Sequence, residues 1–287
     1  MKIKSVGALA LAACVFFVAS DSWAIVTEDN TIAESNPNDK GYSLDWSYVY
    51  RVNSGKGGTG VAVDRYWLLT AAHVADDINP AEVQIGATTY TAAEVQYHPD
   101  NVDLALLRFS SPIFDDGHYE LYTGNFPTAR PQRLTGLIVG FGRTGTVSDT
   151  YYTPSGSGEN TKRWGTNMID GTLNSVSAQG FPSHMIYMNF DLGASDYEAG
   201  AAIYDSGGPV FVDDGGTWKV AGINVAVGRA RTSTTPEGSL DRIYAARMPE
   251  YEGWVTGVVP EPSTGMLFAL PGLGAALYRR RTFRRTM

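Results

Sequence analysis

The sequence predicts an all-β protein, a sandwich or barrel of antiparallel strands, and three observations carry that prediction. From residue 25 to 259 the chain is a succession of short apolar runs rich in Val, Ile, Tyr and Phe, each bounded by Gly, Pro, Asn, Asp or Ser, the residues that separate strands with turns. One late stretch alone, "PEYEGWVTGV", reads as a short helix, opened by Pro249. No heptad pattern and no internal repeat breaks the strand texture.

The elements follow in chain order. The start, "MKIKSVGALALAACVFFVASDSWA", places Lys2 and Lys4 before an apolar run and small residues at Ser22 and Ala24, which is a secretory signal peptide over 1–24 cleaved after Ala24. A rival reading takes Leu11 to Cys14 as a lipobox, although the apolar run continues through Val15, Phe16 and Phe17 where a lipobox should close it. Strand candidates are "GVAVDRYWLLTAA", "AEVQIGATTYTAAEVQYH", "DLALLRF", "RLTGLIVGFG", "SHMIYMNF", "GPVFV" and "WKVAGINVAV". The polar, glycine-rich segment 142–165 reads as a long surface loop. "SGKGGTG", 54–60, lacks the spacing of a phosphate-binding loop and is followed by a strand rather than a helix, so it reads as a flexible turn. At the other end Pro-Glu-Pro, 260–262, precedes an apolar stretch from Met266 to Tyr278 and then five arginines. That stretch is short for a full span and interrupted by Pro271, while the arginines would hold a tail on the cytoplasmic side.

Composition excludes several classes. Cys14 is the only cysteine, so a mature chain has no disulfide and no thiolate metal chemistry. Stability must come from a sizeable core, which 287 residues can supply. The net charge is −8; setting aside Lys2, Lys4 and the five tail arginines against Asp21 and Glu261 leaves the middle at −13. Such a surface repels nucleic acid. The pairs Asp76-Asp77, Asp115-Asp116 and Asp213-Asp214 read as solvated turns, with no EF-hand spacing. The sequence therefore points to no metal and no cofactor.

Nucleophilic catalysis by serine needs a base to take its proton and a buried carboxylate to hold that base. Of four histidines, His98, His118 and His184 read as structural or exposed, whereas His73 sits in "LLTAAHVAD", directly after an apolar strand. "TAAHV", then "DLALLRF" beginning at Asp103, then "DSGGPVF" with Ser206 come in the order His, Asp, Ser. These stretches resemble the trypsin/chymotrypsin-like serine peptidase family. The resemblance extends over about residues 25–258: "VGFGRT" is similar to the family's Gly-Trp-Gly turn with Phe141 in place of Trp, and "IYAARMPEYEGWV" to its last strand and C-terminal helix. It implies two packed six-stranded antiparallel β-barrels with a short C-terminal helix and an active site between them. The tail, 259–287, resembles the PEP-CTERM sorting signal of exopolysaccharide-producing Gram-negative bacteria, which implies transient membrane attachment and processing by an exosortase-type enzyme.

The resemblance also implies roles. Ser206 would attack the scissile carbonyl of a protein or peptide substrate, His73 would act as general base and then acid, and Asp103 would orient His73. The backbone N–H groups of Tyr204 and Ser206 would form the oxyanion hole; Tyr204 departs from the family's Gly, and its side chain restricts the backbone there. Asp205 would pair with a freed N-terminus, and cleavage after Ala24 exposes Ile25-Val26 directly, although "IVTEDN" lacks the family's two following glycines. Gly200, six residues before the serine, would be the floor of the primary pocket, and Val225, Ala226 and Val227 its wall. Those residues imply an apolar or small side chain before the cleaved bond, with nearby Glu198 a solvated surface acid. The expected protein is thus an exported serine endopeptidase; the alternative is a catalytically inactive relative that binds partners at the cell surface or in the matrix.

Overall fold

The computed structural model describes residues 25–259 except 54–56, 115–116, 143, 156–160, 179, 203 and 233. The expected signal peptide, 1–24, and all but the first residue of the expected sorting tail, 259–287, therefore lie outside the described residues. Among the described residues no helix is long and apolar enough to cross a membrane.

The strands are β1 (Val26–Thr27), β2 (Val49–Val52), β3 (Gly58–Asp64), β4 (Trp67–Thr70), β5 (Glu82–Ile85), β6 (Thr88–Thr91), β7 (Glu94–Tyr97), β8 (Ala105–Arg108), β9 (Thr135–Gly140), β10 (Gly145–Val147), β11 (Tyr152–Pro154), β12 (Arg163–Met168), β13 (Gly171–Ala178), β14 (Phe181–Asn189), β15 (Ala199–Gly200), β16 (Pro209–Asp213), β17 (Trp218–Gly228) and β18 (Arg242–Arg247). The helices are α1 (Asn30–Glu34), α2 (Ala72–Asp76) and α3 (Glu252–Val258). Pro249 opens a 3-10 turn, Met248–Glu250, and α3 follows it, so the late helix forms close to its expected place.

Two antiparallel sheets dominate, in the orders β6-β5-β2-β3-β4-β8-β7 and β12-β9-β16-β17-β18-β14-β13. Each counts seven hydrogen-bonded segments, yet in both the two edge segments are consecutive in the chain. In the first sheet β6 pairs with β5 and β7 with β8, and at the bend between them Ala92 N–H donates to Ala81 O while Ala93 N–H donates to Arg108 O. In the second, β12 pairs with β9 and β13 with β14, and the bend carries Ile169 N–H to Leu134 O and Asp170 N–H to Tyr187 O. One bent strand thus closes each sheet, and the expected pair of six-stranded barrels results.

The cores follow the strand alternation. Val52, Val61, Leu68, Leu106 and Phe109 are among the buried residues of the first barrel, and Ile138, Ile186, Met188, Val210, Ala221, Ile243 and Ala245 share one cluster in the second. The segment joining the barrels bonds to both, with Tyr119 N–H to Ala62 O and Tyr122 N–H to Val220 O.

Segment 142–165 is not the continuous surface loop that its composition predicts. It contains the β10–β11 hairpin, and Tyr152 within it is fully buried in a small cluster with Val26, Phe190 and Ala202. The Gly, Ser and Thr content hid a hairpin whose contribution to that cluster is Val147 from β10 and Tyr152 from β11. The "SGKGGTG" stretch also departs from expectation, because Gly58, Thr59 and Gly60 belong to β3, while 54–56 lie outside the described residues. α1 went unforeseen; Asp29 caps it, its Oδ1 accepting from Thr31 N–H at 2.9 Å and Ile32 N–H at 3.2 Å.

Candidate active site

The histidine half of the site is built by the first barrel. β4 reads Trp-Leu-Leu-Thr and is buried at every position, so it is a rigid support, and His73 is the second residue of α2 immediately beyond it. Asp103 lies just before β8, at 0% exposure. Because a carboxylate can only accept, His73 Nδ1–H donates to Asp103 Oδ2, at 2.7 Å, and His73 backbone N–H donates to Asp103 Oδ1 at 3.0 Å. Both carboxylate oxygens are thereby committed to one residue. The imidazole is held in the tautomer that leaves Nε2 free to accept a proton.

The serine half is built by the second barrel. Ser206 lies in a tight turn ahead of β16, closed by Gly208 N–H to Asp205 O at 2.9 Å, with Gly207 in the left-handed region at φ +79°. This turn is pressed against the histidine half. Ser206 O accepts from Thr59 N–H of β3 at 2.8 Å, and a Cβ on Gly207 would sit 2.2 Å from Thr70 Oγ1, three residues before His73. A Cβ on Gly58 would meet both Ser206 O at 2.5 Å and a Val74 methyl at 2.6 Å, so only glycine lets the two halves approach this closely. The structure therefore brings His73, Asp103 and Ser206 to one junction. Among the described residues no hydrogen bond joins Ser206 Oγ to His73; such bonds are commonly long before substrate binds.

Tyr204 holds φ +75°, the left-handed conformation for which the family uses glycine. Its carbonyl accepts from Thr59 Oγ1 at 3.3 Å. Neither Tyr204 N–H nor Ser206 N–H meets an acceptor among the described residues. Both N–H groups are therefore donors not used within the described fold.

Asp205 is wholly buried. Its Oδ2 accepts from Ala202 N–H at 3.0 Å, while Oδ1 has no partner. Burial pushes its carboxyl well above the usual range, and backbone N–H groups of Ala202 and Gly142 with the charge of Arg163 offset that only in part. Ile25 is also fully buried, in the core cluster of the second barrel, and next to it Val26 pairs with Gly200 as β1 joins β15.

Of the expected pocket residues, Gly200 and Val225 are buried, Ala226 is 8% exposed and Val227 is half-buried, with a register shift between Asn224 and Ala226. The Gly200 floor is not open space, because a Cβ there would lie 2.3 Å from the Tyr152 ring. Glu198 differs from the solvated acid expected of it. It is 4% exposed and its carboxylate accepts from Ser195 Oγ–H at 2.6 Å and Asp191 N–H at 3.1 Å, and burial outweighs those bonds, raising its pKa to about 7. Sequence reading also missed Asn224, whose N–H and C=O bond the Gly208 and Gly207 backbone and whose buried amide has no partner. The remaining histidines stand apart: His98 meets the Tyr251 ring edge-on at 5.2 Å, and His184 faces the same ring from 6.4 Å.

No curated protein matches the sequence. The fold is similar to that of Rv3671c from M. tuberculosis H37Rv, solved as a serine-to-alanine mutant in its inactive form, at a TM-score of 0.52 and 17% identity over 83% of this chain and 97% of that one. It is similar also to neuropsin, a serine protease expressed in the limbic system of mouse brain, at a TM-score of 0.53 and 17% identity over 79% and 97%. At such identity these likenesses speak for the fold. The family profile described as Trypsin matches residues 34–247, the span that carries both barrels and all three of His73, Asp103 and Ser206, and the chain belongs to the trypsin family.

Proposed function

We propose that this protein is an exported bacterial serine endopeptidase. The observation that carries the reading is the two-point grip of Asp103 on His73, set at the junction where the Ser206 turn meets the first barrel. His73 Nε2 takes the Ser206 proton as Oγ attacks the scissile carbonyl, and the oxyanion forms beside the N–H groups of Tyr204 and Ser206. Collapse breaks the C–N bond, His73 returns the proton to the leaving amine, and an acyl-enzyme remains. Water, deprotonated by His73, then adds to the ester, and the proton passes back to Ser206 as the acid departs. No cofactor enters this cycle.

Maturation follows from the same residues. Removal of 1–24 frees an ammonium at Ile25, next to the β1–β15 pairing, and Asp205 Oδ1 is a buried acceptor in need of such a cation. The tail beyond residue 259 attaches the enzyme transiently to the membrane until an exosortase-type enzyme processes it. A second reading, an inactive surface-binding relative, draws on the positive φ at Tyr204 and on the missing Ser206–His73 hydrogen bond.

The test is intact-mass analysis of the purified protein after exposure to a fluorophosphonate, beside Ser206→Ala. An adduct on the parent and none on the variant is the expected result. A folded parent with a free Ile25 that takes no adduct would favour the binding protein.

A further inference from the structure

We propose that the cavity between the amino-terminal segment and the chain leading into β15 is a binding site for an aliphatic diamine, a short hydrocarbon with an ammonium at each end. His73, Asp103 and Ser206 do not line this cavity, so the site stands whether or not the protein cuts peptides.

The cavity has a volume of about 170 Å³. That is room for several waters at about 30 Å³ each, yet it falls below the roughly 300 Å³ at which sites for drug-sized ligands begin, so a small molecule is the fitting occupant. β1 and α1 line one side, residues from the stretch 192–198 line the other, and Trp164 of β12 completes the wall. Strand pairing brings these pieces together, because Thr27 of β1 lies opposite Ala199 of β15, the residue after Glu198.

The lining is of two kinds. Ile32, Ala33, Trp164 and Leu192 supply hydrocarbon. Glu28, Asp29 and Asp196 are exposed and form an acidic edge, whereas Glu198 is 4% exposed. Among the described residues no lysine, arginine or histidine lines the cavity. Carboxyls at the edge and in the interior, with apolar wall beside them, match a molecule that is positive at both ends and hydrocarbon in the middle. A metal ion fits less well, since among the described residues no three acidic or histidine side chains are grouped so as to hold one.

Two buried groups call for an occupant independently of the acidic edge. Thr27 is 7% exposed, it lines the cavity, and its Oγ1 has no hydrogen-bond partner among the described residues. Its methyl packs toward β12, 3.2 Å from where a Cβ on Gly165 would stand, so the methyl and not the hydroxyl is used in that contact. A hydroxyl left unmet in the interior is costly, and an ammonium N–H would meet it. Glu198 is the second group. Its Oε2 accepts from Ser195 Oγ–H at 2.6 Å, Ser195 Oγ accepts in turn from Thr166 Oγ1–H at 2.9 Å, and Oε1 accepts from Asp191 N–H at 3.1 Å. Each carboxylate oxygen can still accept another bond. Burial raises this carboxyl to about 7, and the groups that offset the burial are Ser195 and the Asp191 backbone, neither of them a cation. Arg231 is committed to Asp191, reaching both carboxylate oxygens at 2.9 Å. An inner ammonium would meet the Glu198 carboxylate and the Thr27 hydroxyl, and an outer one the acids at the edge.

The test is isothermal titration of the purified protein with putrescine at pH 8 and constant ionic strength, beside butylamine and sodium chloride, on the parent, Glu198→Gln and Thr27→Val. The parent is expected to bind one putrescine with a Kd of about 1 mM or tighter, to bind butylamine at least about tenfold more weakly, and to give no saturable heat with sodium. Glu198→Gln should weaken putrescine by at least about tenfold, the scale of a lost charge-assisted bond. Thr27→Val, which removes only the hydroxyl and serves also if the glutamine variant fails to fold, should weaken binding by about threefold while the ligand-free melt stays at or above the parent's. A hydroxyl with a merely structural role would lower that melt and leave binding unchanged. No saturable heat from putrescine up to about 20 mM overturns the site. Butylamine binding as tightly as putrescine overturns its two-ended form, and parent-like affinity in every folded variant shows that the diamine sits elsewhere and overturns it too.

Discussion

The two halves of the active site are finished to different degrees. On the histidine side, each oxygen of Asp103 accepts one bond from His73, and the support beneath is β4, buried at every position. On the serine side, among the described residues, Asp205 Oδ1 and both side-chain amide atoms of Asn224 are buried without hydrogen-bond partners, and Tyr204 is held in the left-handed region. Unmet polar groups in a protein interior are destabilising and usually await something. The proposed base is thus held by the fold at both carboxylate oxygens, whereas the surroundings of Ser206 would be completed by the proposed pairing of Asp205 with the Ile25 ammonium.

The sharpest way to break this contrast is Asp103→Asn. It should lower the rate of peptide hydrolysis by about 10⁴-fold while the thermal melt moves little, since the lost carboxylate releases the His73 tautomer and not the fold. A loss below tenfold would mean that the paired histidine half is not where the base resides. Next in size is the amino terminus. A variant matured with one alanine ahead of Ile25 should label with fluorophosphonate about 10² to 10³ times more slowly, the scale of a lost oxyanion donor, and an unchanged labelling rate would show the serine side complete without the ammonium.

Buried acids give the serine side a pH signature. The Glu198 carboxyl is raised to about 7 in the folded chain against about 4.5 unfolded, so the native state binds the extra proton between those values and stability falls as pH rises from 4.5 toward 7, by about 3 kcal/mol in all. Urea melts at pH 5 and pH 7.5 should show the difference, and Glu198→Gln should flatten it. At the junction of the halves, Gly58→Ala would drive a Cβ between Ser206 O and Val74; an ångström of misplacement there should lower hydrolysis about 10²-fold in a protein that still melts cooperatively. Smallest is Tyr204→Gly, which relieves a left-handed side chain and should raise stability by about 1 kcal/mol, a few degrees in Tm, with labelling at least as fast as the parent's.

The same asymmetry governs how much was readable beforehand. "TAAHV", "DLALLRF" and "DSGGPVF" were legible because each is a contiguous stretch whose residue types are dictated by local geometry, a turn, a buried carboxylate or a close approach of backbone. The barrels were legible as strand texture. Barrel closure was not, since the bends at Ala92 and Ala93 and at Ile169 and Asp170 arise from which neighbours each half-strand meets. Glu198 and Tyr152 were misread for a related reason. Their surroundings include partners outside the local stretch, Asp191 for the one and Ala201 for the other, and a polar neighbourhood in sequence says nothing about a dry one in space.

The strand pairings carry a last consequence, for the order of assembly. The first barrel is closed entirely by pairings within residues 49–108, the most distant of them Trp67 with Arg108. The second cannot close until β16 reaches back to β9, Val210 to Ile138, and β18 joins β14 and β17. Local pairings form sooner than distant ones. On that ground His73 and Asp103 would be in place before the last strands arrive, and the Ser206 turn would be seated only after them. The proposed enzyme would be armed last, and fragments that stop short of β18 would hold a finished histidine and no means of cutting.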